Sequence, residues 1–149
     1  VVEGQGNRFK CLAYDVIKNP ASRRHSACLA HLYETLTDFI EQTRPDAVAI
    51  EGIFFSKNAR TAVILGQARG AVLTACARAG LAVYEYSPRR VKQAVVGSGK
   101  APKEQVARMI CSMTGLAEPP PEDAADALAI AICHINQQTG HAVIDAKQI

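Results

Sequence analysis

Three carboxylates in this sequence are hard to explain by folding alone. Asp123 and Asp126 open the run P-E-D-A-A-D-A-L-A-I-A-I-C (121–133), whose last seven residues carry no polar side chain. Three apart on a helix, the two aspartates share a face and repel each other by roughly a few tenths of a kcal/mol. An acid in a first helical turn is stabilised by the helix dipole, by ~0.3–1 kcal/mol, and that accounts for Asp123. It accounts less well for Asp126. Ala129, Ile130 and Cys133 continue the face of Asp126, and from Ala127 on the segment is apolar all round, the pattern of a buried helix. A carboxylate at the lip of such a helix has to be paired, coordinated or neutralised.

Glu51 poses the same question at the end of a strand. D-A-V-A-I (46–50) runs straight into it, and Gly52 lets the chain turn away. In open α/β sheets, ligands bind at the carboxyl ends of strands. Three carboxylates gathered there would require a hard cation, and oxygen-only ligands suit Mg²⁺ or Mn²⁺. The competing reading is a strand-end acid and a solvated helix start, and residue chemistry leaves both open.

The second chemical signal is charge. No Asp or Glu falls between Tyr86 and Lys103, while Arg89, Arg90, Lys92, Lys100 and Lys103 all do. The net charge of +3 decides little, but this local strip favours a polyanionic partner as much as it favours a solvated basic loop. Lys103 by itself reads as a first-turn surface lysine. Phe54 and Phe55, in a loop after Glu51, read as aromatics packed beneath that loop.

Alternating elements must position these groups. A strand is predicted over 9–17 after a turn at G-Q-G-N, and a helix through Leu29, Leu32, Leu36, Phe39 and Ile40 that ends before Pro45. The segment 46–51 reads as a buried strand of a parallel sheet. A long helix follows over 61–79, stopped by Gly80, and then a strand over 81–86. Ser87-Pro88 starts a short helix that Gly97 closes. Pro102 opens another with Val106, Ile110 and Met113 on one face before Gly115, and P-P-P (119–121) starts the last. Gly66 and Gly70, inside the long helix, each cost roughly 1 kcal/mol against alanine, which suggests close helix approach. The alternation implies an α/β sheet with helices packed on it.

A chain of 149 residues, 48% hydrophobic and 21% charged, fits one compact globular domain. No apolar run nears the roughly 20 residues that span a bilayer, so no membrane partner is expected. No signal-peptide pattern opens the chain. No CxxC or Cys/His pairing among the five cysteines suggests zinc, and they read as reduced, mostly buried thiols of a cytoplasmic protein.

Longer motifs then narrow the field. I-E-G-I-F-F-S-K-N-A-R-T-A, L-G-Q-A-R-G, R-V-K-Q-A-V-V-G-S-G-K-A-P-K and D-A-A-D-A-L-A-I-A, in this order and spacing, resemble the RuvC family of Holliday-junction resolvases. The resemblance spans nearly the whole chain. It implies an α/β, RNase H-like fold with a mixed central sheet flanked by helices. It also implies a homodimer and symmetric nicking of four-way junction DNA with two Mg²⁺ per site, Mn²⁺ being a substitute. Work alongside the branch-migration proteins RuvA and RuvB is implied as well. The products it implies are 5′-phosphate and 3′-hydroxyl ends. The domain is expected over 1–140, with 141–149 a tail.

By the same resemblance Glu51, Asp123 and Asp126 match three of four catalytic, metal-holding acids. Lys103 matches a lysine needed for cleavage, placed to meet charge on the scissile phosphate. Phe54 matches an aromatic that stacks on a base at the junction, flanked by Lys57, Asn58 and Arg60 for phosphate. Lys92 and Lys100 match DNA-backbone contacts, with Arg89 and Arg90 weaker candidates, and Arg69 supports either the dimer interface or the site. The fourth acid of the family lies in a D-P-G segment on a first strand that has no counterpart here, and Asp15 does not match its position. The expectation is an upstream segment absent from this sequence. A non-catalytic junction-binding homologue is the rival reading. A kinase-like nucleotide binder would need a glycine-rich phosphate loop and a second domain, and neither is present. The histidines His25, His31, His134 and His141 match no motif.

Overall fold

The computed structural model describes residues 1–5, 8–52, 58–139 and 147–149. Its elements run β1 (Val2–Gln5), β2 (Arg8–Cys11), α1 (His25–Thr43), β3 (Ala47–Glu51), α2 (Ala59–Arg78), β4 (Ala82–Tyr86), α3 (Pro88–Val96), α4 (Lys103–Thr114), α5 (Glu122–Thr139) and β5 (Lys147–Gln148). Strands β1 and β2 pair with each other, and a second sheet has the order β3-β4-β5. Two compact units emerge. One comprises Val1–Val16, Ala49–Gly52 and Tyr84–Ile149, the other Ile17–Val48 and Ile53–Val83.

The first unit holds the main core. Strands β1 and β2 form an antiparallel ladder from Val2↔Cys11 to Gln5↔Arg8. Phe9 points inward, and its neighbours Arg8 and Lys10 are exposed, as strand alternation requires. The strand predicted over 9–17 is therefore four residues long. Pairing is what limits it: one further backbone bond, Leu12 N–H to Val1 O at 3.0 Å, follows the ladder, and Leu12 and Tyr14 are exposed. Asp15 lies off the strand and accepts a hydrogen bond from the Val16 N–H at 2.7 Å.

Helices α3 and α4 follow their local signals. The Ser87 hydroxyl accepts the Arg90 N–H, Pro88 sits in the first turn, and Gly97 closes α3 at φ 75°. Pro102 precedes α4 and Gly115 ends it at φ 74°, with Val106 and Ile110 buried and Met113 packed against the core. Helix α5 supplies the centre through Ala125, Leu128, Ala129, Ile132 and Cys133. It is not apolar-buried all round. Ala127 is exposed and Ile130 half-buried, so α5 keeps an open flank on which Asp123 and Asp126 stand. The sequence pattern hid this because alanine fits either environment.

Strand β3 is half-buried along its length, less than the parallel-core pattern predicts, and Glu51 at its end is exposed. On the other side of β4, β5 pairs antiparallel through Tyr84↔Gln148 and Glu85↔Lys147.

In the second unit, α1 and α2 pack together around Ile40, Ala75 and Cys76, and His25 Nε2 lies 2.7 Å from Gln67 Oε1. Helix α1 ends on Arg44 in the left-handed region (φ 45°), just before Pro45. Among the described residues, the glycines of α2 do not mark close approach. A Cβ built at Gly66 or Gly70 meets nothing within 4 Å, and Val63, Ile64 and Leu65 beside them are exposed. All five cysteines are free thiols, but only Cys76 and Cys133 are buried, fewer than expected, and Cys11, Cys28 and Cys111 are half-buried. Among the described residues no helix is long and apolar enough to cross a membrane.

Candidate active site

The end of β3 is built by close approach. The Gly52 N–H donates to the Tyr86 carbonyl at 2.8 Å. A Cβ at position 52 would lie 3.2 Å from Glu85 Oε1 and 3.5 Å from the Tyr86 oxygen. What position 52 requires is room beside β4, one residue after Glu51 ends β3.

Two side chains from two helices, Lys103 and Asp126, act on Glu51 electrostatically. Lys103, first residue of α4, donates from Nζ to Glu122 Oε1 and lies 3.8 Å from Asp126 Oδ2. Both partners come from the start of α5, one turn apart, so the helix offers two carboxylates to one ammonium. These are surface groups: the Lys103 side chain is 61% exposed and that of Asp126 54%. The hydrogen bond to Glu122 leads in raising the Lys103 pKa, with the charges of Asp126, Glu122 and Asp123 adding to it. The same bond holds the Glu122 carboxyl below the usual carboxylate range.

Glu51 moves the other way. Although solvent reaches it, partial desolvation raises its pKa, the Asp126 charge raises it further, and Lys103 pulls back down. Desolvation and a like charge both disfavour the ionised form, and a nearby cation favours it, as Lys103 does. The donors are oxygens only, which suits a hard divalent ion, and Glu51 and Asp126 are the pair that fits it best. Asp123 is felt at Lys103. Among the described residues, no three His, Cys, Asp or Glu side chains converge closely enough to hold a metal ion.

The basic candidates divide. Arg90 is half-buried and donates from Nη2 to Gln137 Oε1 at 3.1 Å, tying α3 to α5. Arg89 lies across the α3–α4 loop, where a Cβ at Gly99 would come within 2.6 Å of its Cγ. Lys92 is half-buried on α3, and Lys100 is exposed, its N–H 3.4 Å from the Ser98 hydroxyl. In the other unit, Asn58 caps α2, its Oδ1 accepting the N–H groups of Arg60 (3.0 Å) and Thr61 (3.4 Å). Arg60 is exposed in that first turn and Arg69 half-buried further along. Phe54 and Lys57 lie outside the described residues.

Two features escaped the sequence reading. Glu122 was legible only as an acid four residues before Asp126; its bond to Lys103 bridges 19 residues. His134 gave no signal at all. Its Nδ1 lies 2.7 Å from the buried Tyr86 hydroxyl and its ring 4.6 Å from that of Tyr84, and burial lowers its pKa.

Residues 1–134 match the family model described as crossover junction endodeoxyribonuclease RuvC. The chain belongs to the RuvC family. A RuvC of Moorella thermoacetica is 48% identical over 135 residues, covering 90% of this chain and 81% of the relative. One of Caldicellulosiruptor saccharolyticus is 47% identical over 131 residues, 87% of this chain and 79% of the relative. Both are named crossover junction endodeoxyribonucleases. Among solved structures, Thermus thermophilus RuvC superposes with TM-score 0.83 at 38% identity, covering 93% of this chain and 84% of that one. The same protein in complex with Holliday junction substrate gives TM-score 0.88 at 37% identity, with 93% and 85% covered. The fold is thus the α/β, RNase H-like fold of the family, with its mixed sheet.

Proposed function

We propose that this chain is a structure-selective endonuclease that resolves four-way DNA junctions by paired, symmetric nicks in recombination and repair. One observation carries the reading: in a member of the RuvC family, Glu51 and Asp126 repel one another beside the Lys103 ammonium at a strand end. The junction-bound Thermus relative supports the substrate class.

A phosphodiester is anionic and repels both nucleophiles and a carboxylate-rich site. Two Mg²⁺ ions, or Mn²⁺ in their place, would supply positive charge and a water activated at neutral pH. Glu51, Asp123 and Asp126 would hold them. Glu51 is fixed by the close passage of Gly52 along β4, and the aspartates by the buried underside of α5. Lys103 meets charge building on the scissile phosphate. Lys92, Lys100, Lys57, Asn58, Arg60 and Arg69 hold backbone phosphates, which positions the duplex without reading its sequence. Phe54 stacks on a base opened at the junction, where stacking offsets ~1–3 kcal/mol per base.

Two opposed nicks need two sites, so the working form is a homodimer, and the exposed Val63, Ile64 and Leu65 beside open glycines on α2 support a second copy docking there. RuvA and RuvB are the proposed partners, 1–140 the resolvase domain with a tail to 149, and the cytoplasm the compartment that keeps five thiols free.

The second reading is a protein that binds junctions without cutting them. A labelled synthetic four-way junction separates the two in Mg²⁺. Paired nicks on opposing strands, with Glu51→Gln shifting the junction uncut, are expected. A shift without nicks leaves the second reading, and no shift removes both.

A further inference from the structure

Glu122 has no part in the reaction just described, yet it holds the ammonium that is to face the phosphate. Its Oε1 accepts the Lys103 hydrogen bond while Asp126 Oδ2 waits 3.8 Å from the same nitrogen. The lysine side chain is 61% exposed and that of Glu122 69%, so an incoming anion has access to both. An ammonium is a compact charge on a flexible stem with three rotatable donors. A phosphate oxygen arriving at the site therefore competes with Glu122 for the same donor.

We propose that Glu122 is a positioning residue that parks Lys103 against α5 in the free protein, standing in for a phosphate oxygen, and yields it to backbone phosphate when DNA binds. This rests on the reading of Lys103 as a phosphate-facing group. Glu122 then opposes DNA binding, and it does so through Lys103. A carboxamide at position 122 keeps the shape and a hydrogen-bond acceptor but removes the charge, leaving the ammonium free for DNA.

The test measures junction affinity against salt concentration in metal-free buffer, where no cutting intervenes. It uses the parent chain, Glu122→Gln, Lys103→Ala and the double variant. Glu122→Gln is expected to tighten binding by about 3- to 10-fold with the log K against log salt slope unchanged, because Lys103 meets the same phosphate in both complexes. In the Lys103→Ala background the same change should not tighten binding. Glu122→Asp keeps the charge but draws it back by one methylene, and should tighten binding less than Glu122→Gln. No tightening overturns the proposal, as does equal tightening with Lys103 absent, which would mark a general relief of negative charge. If the parent binds the junction, and nicks it once Mg²⁺ is added, while Glu122→Gln binds no better, only the parking role falls. If the parent binds no junction, the function proposed above falls and takes this role with it.

Discussion

Helices α5 and α2 are close in length, 18 and 20 residues, and both carry apolar runs, yet they spend them differently. Helix α5 buries Leu128, Ala129, Ile132 and Cys133 almost completely and leaves its acids on one open flank. The first half of α2 exposes Val63 (60%), Ile64 (43%) and Leu65 (49%), and its two glycines face open space. One helix uses its apolar residues to fix a charged end in place. The other keeps them on the outside, where the proposed second copy would cover them. The contrast separates a mount from a proposed interface, and substitutions on each helix should fail in different ways.

The largest effect belongs to the charged flank of the mount. Asp126→Asn is expected to lower the nicking rate by about 10²- to 10³-fold, the scale on which losing one charge-stabilising group acts. Junction binding should survive in a gel shift, and a variant that nicks at the parent rate would remove Asp126 from the site. The next effects divide mount from interface. Ile132→Ala should cost about 2–5 kcal/mol in denaturant unfolding, because Ile132 is fully buried. Leu65→Lys should cost under about 0.5 kcal/mol in the same melt, as an exposed position does, yet shift sedimentation from dimer to monomer. Equal losses of stability in the two melts would erase the distinction.

A smaller change sharpens it. Gly66→Ala should stabilise the isolated chain by about 0.5–1 kcal/mol, since helix propensity rises and the added methyl meets nothing. A weaker dimer in the same variant would show that the glycine is kept for a partner's close approach. The smallest effect concerns pH. The Glu51 pKa is raised in the folded state, so its contribution to stability is present below the ordinary carboxylate pKa. That contribution is lost as pH rises through the folded value. Glu51→Gln should therefore be more stable than the parent at pH 7 by a few tenths of a kcal/mol at most, because solvent screens an exposed group. The gain should vanish below about pH 4, where the parent carboxyl is protonated.

Local chemistry was legible in the sequence, and distant pairing was not. The caps of α3 and α4 are written in Ser87-Pro88, Gly97, Pro102 and Gly115, and the helices start and stop on them. The end of β2 depends on how far β1 accompanies it, which no residue near Cys11 announces. Glu51 and Asp126 stood out as acids without a folding excuse, and Asp123 as the like charge sharing a helix face with Asp126. The grouping of Glu51 with Asp126 and Lys103 depends on segments over 50 residues apart, so it needed either the family resemblance or the structure. The open flank of α5 stayed hidden because Ala127 looks the same buried or exposed.

The chain has four tyrosines and no tryptophan, so its near-ultraviolet emission belongs to tyrosine alone. One of the four, Tyr86 on β4, is 1% exposed and meets His134 of α5 through its hydroxyl. Burial pushes its phenol up to about 12, so it does not ionise at ordinary assay pH. The protein thus carries its own optical reporter at the seam between β4 and the helix that bears Glu122, Asp123 and Asp126. Any event that lifts that helix, whether ion loading, junction binding or the first step of unfolding, can be followed as a change in tyrosine emission, with no label attached.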